Sequence, residues 1–222
     1  MKPILVAYAS TEGQTRKVAE YIAERLRAGG QLVELADTAD RAAMAAASDC
    51  ARYRAVVLGG SVHYGRHQRA LARFVRQHLS WLNAMPTALF SVSMAAAEVG
   101  AAGRAEAQRV VTRFVRKSGL RPRQTRLVGG ALRYTHYGLA KRALMRWIAG
   151  KQGQSTDTKH DHEYTDWQDV DRFVATFLST LNGTEAKPAA RGGTAELIRL
   201  QTFSAGAATP MLSDQVGRLP AR

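Results

Sequence analysis

Cysteine is almost missing from this chain. Cys50 is the only one in 222 residues, so no disulfide can close within the chain and no cysteine-based zinc site can form. That usage fits a reducing cytoplasm. Long apolar runs are also missing. No uninterrupted stretch approaches the ~20 residues that cross a bilayer, and the first residues lack a secretory-signal pattern. A chain of this kind does not span a membrane but can lie on one. Acid is scarce in one region: from Arg104 to Lys151, 13 Lys or Arg stand against a single acid, Glu106. Nearly all of the formal charge of +14 is concentrated there. Such a surface attracts nucleic acid, anionic lipid or a carboxylate-bearing substrate. Zinc fingers, ribonucleoprotein motifs and heptad-linked basic regions are absent, so nucleic acid is not an expected partner.

Two nucleotide fingerprints are missing as well. No Gly-x-Gly-x-x-Gly stands after the first strand, and no Gly-Lys-Ser/Thr P-loop is present. Instead the apolar run Pro3 to Tyr8 leads into Ser10-Thr11-Glu12-Gly13-Gln14-Thr15. Val18, Ala19, Ile22, Ala23 and Leu26 then recur at helical spacing. The N-terminus of a helix offers unpaired amides and partial positive charge to an anion. Ser10, Thr11 and Thr15 add hydroxyls, and Gly13 allows close backbone approach. A hydroxyl-lined loop without lysine suits one terminal phosphate, as in FMN; an ordinary capped strand-to-helix turn is the other reading.

Strand and helix signals alternate onward. Strands are expected at 31–36, 54–60, 87–92 and 126–131, and helices at 68–79, 104–118 and from about Asp166, where Thr165 and Gln168 have the spacing of a capping box. The expected fold is α/β: a doubly wound, five-stranded parallel sheet. Residues 1–182 form the domain, a long basic insert occupies 132–164 after the fifth strand, and the Ala-, Gly-, Thr- and Pro-rich tail 183–222 reads as disordered. Ligands of such sheets bind beyond the carboxyl ends of the strands. Three loops meet there. The first is the hydroxyl loop. The second is Ser61-Val62-His63-Tyr64-Gly65, where Gly59 and Gly60 allow a tight turn and His63 or Tyr64 can flank a planar ring. The third is Ser91-Val92-Ser93-Met94-Ala95-Ala96, with Ser93, Met94 and Ala95 as its candidate contacts.

In the insert, Leu139, Ala140, Ala143, Leu144, Trp147 and Ile148 share a helical face opposite Lys141, Arg142 and Arg146. Such a helix either lies among anionic headgroups or docks on the sheet. His160-Asp161-His162-Glu163 reads as a solvated loop, so no metal is expected.

Several pieces resemble the flavodoxin-like, quinone-dependent protoporphyrinogen oxidases of bacteria. They are Glu12-Gly13-Gln14-Thr15-Arg16, Ser61-Val62-His63-Tyr64-Gly65, and Leu82 to Pro86 leading into Phe90-Ser91-Val92. Gly129-Gly130-Ala131-Leu132-Arg133-Tyr134, Thr156-Asp157-Thr158 and Tyr164-Thr165-Asp166-Trp167 follow in order. Plain flavodoxins lack the Gly130-Ala131-Leu132-Arg133-Tyr134 and Tyr164-Thr165-Asp166-Trp167 runs, and the long insert is a mark of the family. The segment 95–107 departs from it, being alanine- and glycine-rich. The resemblance implies an enzyme with noncovalent FMN that oxidises protoporphyrinogen IX in haem biosynthesis and passes electrons to menaquinone or ubiquinone. It implies a cytoplasmic protein, peripheral on the inner face of the cell membrane. Arg133, Tyr134, Lys141, Arg142, Arg146 and Trp147 are its candidate contacts to substrate or headgroups. No catalytic base is identified, and a homo-oligomer is left open. A soluble electron carrier or quinone reductase without porphyrinogen activity is the alternative.

Overall fold

Buried alternation on both faces of the strands organises the structure, a computed structural model that describes residues 1–46, 49–98, 100–132 and 162–185. The elements are β1 (Ile4–Ala9), α1 (Gln14–Ala28), β2 (Val33–Asp37), α2 (Arg41–Ala46), β3 (Ala55–His63), β4 (Arg66–His67), α3 (Arg69–Gln77) and α4 (Leu79–Ala84). They continue with β5 (Thr87–Ser93), α5 (Ala101–Ser118), β6 (Gln124–Gly129), β7 (Ala131–Leu132), β8 (His162–Glu163) and α6 (Trp167–Glu185). Five parallel strands run in the order β2-β1-β3-β5-β6. Successive residues point to opposite faces of a strand. Ile4, Val6, Val57 and Phe90 therefore pack under α1 and α6, with Val18, Ile22, Phe173 and Phe177. Leu5, Val56, Leu58 and Leu89 pack under α3 to α5, with Leu71, Phe74, Leu82 and Val111. Both faces are covered, which is why the strands read as continuous apolar runs.

The chain reverses its winding between β1 and β3, which are neighbours in the sheet. That switch point opens a crevice at the carboxyl ends of the strands. The five-stranded expectation holds, with additions. β4 folds back antiparallel on β3, pairing His63 with Arg66 and Val62 with His67. The expected helix 68–79 is shorter and is followed at once by α4, His78 being the junction. Gly59 and Gly60 are strand residues of β3, not turn residues. They are small because a Cβ on Gly59 would run into the Phe90 ring, and one on Gly60 would stand 2.5 Å from Leu71 and 2.8 Å from His67. The tight turn lies further on, at Tyr64 (φ 49°) and Gly65 (φ 69°). Two consecutive positive φ angles across a two-residue hairpin are the signature of a type I′ turn.

The helix α6 starts one residue later than the capping-box spacing implies. Asp166 is its cap: the carboxylate accepts the Asp169 N–H at 3.0 Å. The Thr165 hydroxyl instead donates to the Gly129 carbonyl at 2.8 Å. The two ends of the insert meet as β7 and β8, with Ala131 opposite Glu163 and Leu132 opposite His162. The expectations for Arg133, Tyr134, Lys141, Arg142, Arg146 and Trp147, and for the tail beyond 185, lie outside the described residues. No helix among the described residues is long and apolar enough to cross a membrane.

Candidate functional site

The loop after β1 is set by its own short side chains. The Ser10 hydroxyl oxygen accepts the Gly13 N–H at 3.1 Å, and Gly13 sits at φ 90°, a conformation that favours glycine. The first intrahelical bond of α1 runs from the Lys17 N–H to the Gly13 carbonyl at 3.0 Å. The amides of Gln14, Thr15 and Arg16 therefore precede the ladder and face outward from the helix end. Gln68, next to α3, donates its side-chain amide to the Thr11 hydroxyl, tying the first loop to the second.

Ser10, Glu12, Gln14 and Thr15 line one cleft together with Ser61, Val62, His63, Ser93 and Met94. The three loops expected to converge do converge there. Val92, Gly130 and Ala131 complete the lining. Val92 belongs to the third loop; Gly130 and Ala131 were passed over as lining, and the Gly129-Gly130 pair at the end of the fifth strand was the available signal. A Cβ on Gly130 would stand 3.3 Å from the Met94 sulfur, a tight contact. Thr11, Gly13, Tyr64, Gly65 and Ala95 are not part of this lining. Tyr64 stands at the hairpin tip with its side chain fully exposed (101%). Ala95 opens a 3₁₀ turn, Ala95–Ala97, whose Ala96 N–H bonds the Ser93 hydroxyl at 3.1 Å. The third loop is thus ordered despite its alanine-rich composition.

Two hydroxyls in the cleft bear directly on a ligand. Thr15 is 1% exposed, and its Oγ1 has no hydrogen-bond partner among the described residues; the same is true of the buried Ser61 Oγ. A buried polar atom left without a partner costs about 1–3 kcal/mol, so an acceptor or donor supplied by a ligand relieves a real penalty. Thr15 stands in the first turn of α1, where a phosphate is attracted. Ser61 stands across the switch point on β3. The donor set, two hydroxyls and a helix end without a lysine, fits the one phosphate and polar chain of FMN.

Gln14 has a different role from the one its place in the loop suggests. Its side-chain amide donates to Glu163 Oε1 and to Thr165 Oγ1, both at 2.9 Å. Lys17 closes the group with a 2.6 Å ion pair to Glu163 Oε2. Only the backbone of Gln14 remains for a phosphate. Glu163, read from the sequence as part of a solvated run, instead fastens β8 to the start of α1.

Comparison with known proteins agrees with this geometry. A flavodoxin-domain family model matches residues 5–159. The chain is 32% identical over 172 residues to a protein of Escherichia coli K12 named protoporphyrinogen IX dehydrogenase [quinone], covering 77% of this chain and 91% of that one. A Leishmania major protein of the same name is 30% identical over 187 residues, covering 84% of this chain and 79% of its own. Among solved structures, the rubredoxin oxygen:oxidoreductase of Desulfovibrio gigas superposes with a TM-score of 0.50 at 16% identity, over 84% of this chain and 38% of that one. That likeness concerns the fold alone. The family match and the two relatives together place the chain in the flavodoxin-domain family, among the protoporphyrinogen IX dehydrogenases [quinone].

Proposed function

We propose that this protein oxidises protoporphyrinogen IX to protoporphyrin IX with FMN seated in the switch-point cleft, and passes the electrons to a membrane quinone. One observation of the site carries the reading: the cleft of a flavodoxin fold presents two buried hydroxyls, Thr15 and Ser61, with no partner among the described residues, beside a helix end. The reaction itself is the one named for the relatives at 30–32% identity. When bound, FMN supplies two-electron chemistry, taking electrons from the tetrapyrrole and giving them to quinone.

The chain's residues bind and orient. Thr15, with the amides at the start of α1, holds the phosphate, and Ser10 and Ser61 hydrogen-bond the phosphate and the polar chain. Val62, His63 and Met94, which line the cleft, would border the ring, and Tyr64 at the exposed hairpin tip would reach it only by turning toward the cleft. The type I′ turn places Tyr64 in the left-handed region, which costs about 1–2 kcal/mol for a residue with a Cβ. The cationic surface suits a substrate with two propionates and an anionic bilayer that contains the quinone. Arg133, Tyr134, Lys141, Arg142, Arg146 and Trp147 of the insert serve contact with the inner face of the cell membrane or with substrate.

Purified protein is expected to be yellow and to develop porphyrin fluorescence when given protoporphyrinogen IX and menaquinone. A yellow protein that reduces quinone without producing porphyrin would be a plain electron carrier instead. Thr15→Val keeps the shape and removes the hydroxyl. It should raise the Kd for FMN about tenfold, from the loss of one bond to a charged group, while raising the thermal midpoint of the apoprotein, because the unpaired buried hydroxyl is gone.

A further inference from the structure

Beside the flavin cleft, on the far side of the Tyr64–Gly65 turn, lies a second groove of about 370 Å³. Ser61, Val62 and His63 face the cleft, whereas Gly65, Arg66 and His67 face the groove. One hairpin is therefore the wall between them. The groove continues between α3 and α5, past Ala72 and Arg76 on one side and Val110, Arg113, Phe114 and Lys117 on the other. Its lining holds four cations, Arg66, Arg76, Arg113 and Lys117, and no acid. Among the described residues none of the four is in an ion pair. The floor is aromatic: Phe114 and His67 pack ring to ring with centroids 4.5 Å apart. His67 is only 8% exposed, and while its Nε2 bonds Ser91 Oγ at 2.9 Å, its Nδ1 has no partner among the described residues.

We propose that this groove binds the carboxylates of the tetrapyrrole, with one pyrrole edge on Phe114 and His67 and the propionates between Arg66, Arg76, Arg113 and Lys117. The inference rests on the porphyrinogen reading above and locates its substrate. Size and charge both favour it. At about 370 Å³ the groove is at the small end of the roughly 300–1,000 Å³ of ligand clefts, so it takes one edge of a tetrapyrrole and leaves the rest to reach over the hairpin toward the ring. Planar guanidinium groups bind carboxylates bidentately and stack on flat rings. A further cleft among the described residues, about 440 Å³ between β6, α5 and α6, is a poorer host. Its Arg104 and Arg172 are accompanied by Glu98, Asp166 and Asp169, and Arg172 is paired with both aspartates.

The test uses full-length, FMN-loaded protein and the double variant Arg113→Gln, Lys117→Gln. Both residues are exposed side chains of α5, and unchanged FMN content confirms an intact fold. Protoporphyrin IX and its dimethyl ester are titrated by fluorescence in detergent. The wild type should prefer the diacid. The variant should bind the diacid about tenfold more weakly or worse, as expected for lost charge-assisted bonds, and bind the ester unchanged. KM for protoporphyrinogen should rise in parallel with little change in kcat. A variant that keeps the wild-type preference for the diacid overturns the proposal. So does one whose porphyrin binding is unchanged while its binding to phosphatidylglycerol vesicles is lost, because the cations would then be headgroup contacts. A wild type that prefers the diacid without oxidising protoporphyrinogen would sink the catalytic reading and leave the groove standing.

Discussion

Gly59 owes its identity to a side chain 31 positions away in the chain. The Phe90 ring on the neighbouring strand fills the space a Cβ would need. Gly59→Ala should destabilise the protein by about 1–3 kcal/mol through overpacking, read as a lower urea midpoint. Read locally, a Gly-Gly pair at a strand end suggests a turn, and nothing near it in sequence reveals Phe90. Tyr64 is the converse case: the sequence offered it as a flank for a planar ring, but gave no sign of the left-handed backbone beneath it. Tyr64→Asn should stabilise the apoprotein by about 1 kcal/mol, since asparagine tolerates the left-handed region, and at the same time weaken flavin binding. Opposite signs in thermal unfolding and FMN titration would establish that the tyrosine is kept for its ring. His67 adds a pH dependence. Burial lowers its pKa from 6.5 to about 4. Between those values the unfolded chain binds a proton that the folded one refuses, so stability falls as pH drops below 6.5. The loss reaches about 3 kcal/mol near pH 4. Urea midpoints at pH 7 and pH 4.5 should therefore diverge more in the wild type than in His67→Gln.

At the scale of elements, long buried strands were readable and short connecting ones were not. Ala55-Val56-Val57-Leu58 is apolar on both faces because helices cover both, and such a run announces itself. β4 has two residues, Arg66 and His67, and carries no periodic signal; it exists because the Tyr64–Gly65 turn folds the chain back on β3. The break between α3 and α4 was similarly hidden, since the apolar spacing of Leu71, Phe74, Val75 and Leu79 runs through it. The start of α6 depended on a competition. Thr165 has the right type for a cap, but its hydroxyl is engaged by Gly129 and Gln14, and Asp166 takes the role. Asp166→Ala should cost about 1 kcal/mol of stability, while Gln168→Ala should be near neutral, as chemical denaturation will show. The group of Gln14, Lys17, Glu163 and Thr165 joins elements 146 or more residues apart. No local pattern predicts it, yet it fixes the end of the insert against the phosphate loop.

At the scale of the molecule, topology and charge do different work. The sheet order β2-β1-β3-β5-β6 creates the crevice, and a helix end and hydroxyls line it. Both were legible, because alternating strand and helix signals imply the winding and the loop residues are contiguous in sequence. Charge was legible only as a total along 104–151. Its division was not: Arg109 turns back to Glu106 at 2.7 Å, and Arg126 reaches Asp169 at 3.2 Å. Arg113 and Lys117 instead face the groove beside the flavin cleft. Separating spent from available cations required the helices to be placed. In the proposed reaction, electrons leave a porphyrinogen through FMN at the switch point and end on a quinone. Anaerobic stopped-flow absorbance of the FMN-loaded protein tests it most directly. Protoporphyrinogen IX should bleach the flavin band as porphyrin appears, and added menaquinone should restore it. A band that stays oxidised with protoporphyrinogen, in protein whose flavin dithionite still bleaches, would contradict the account.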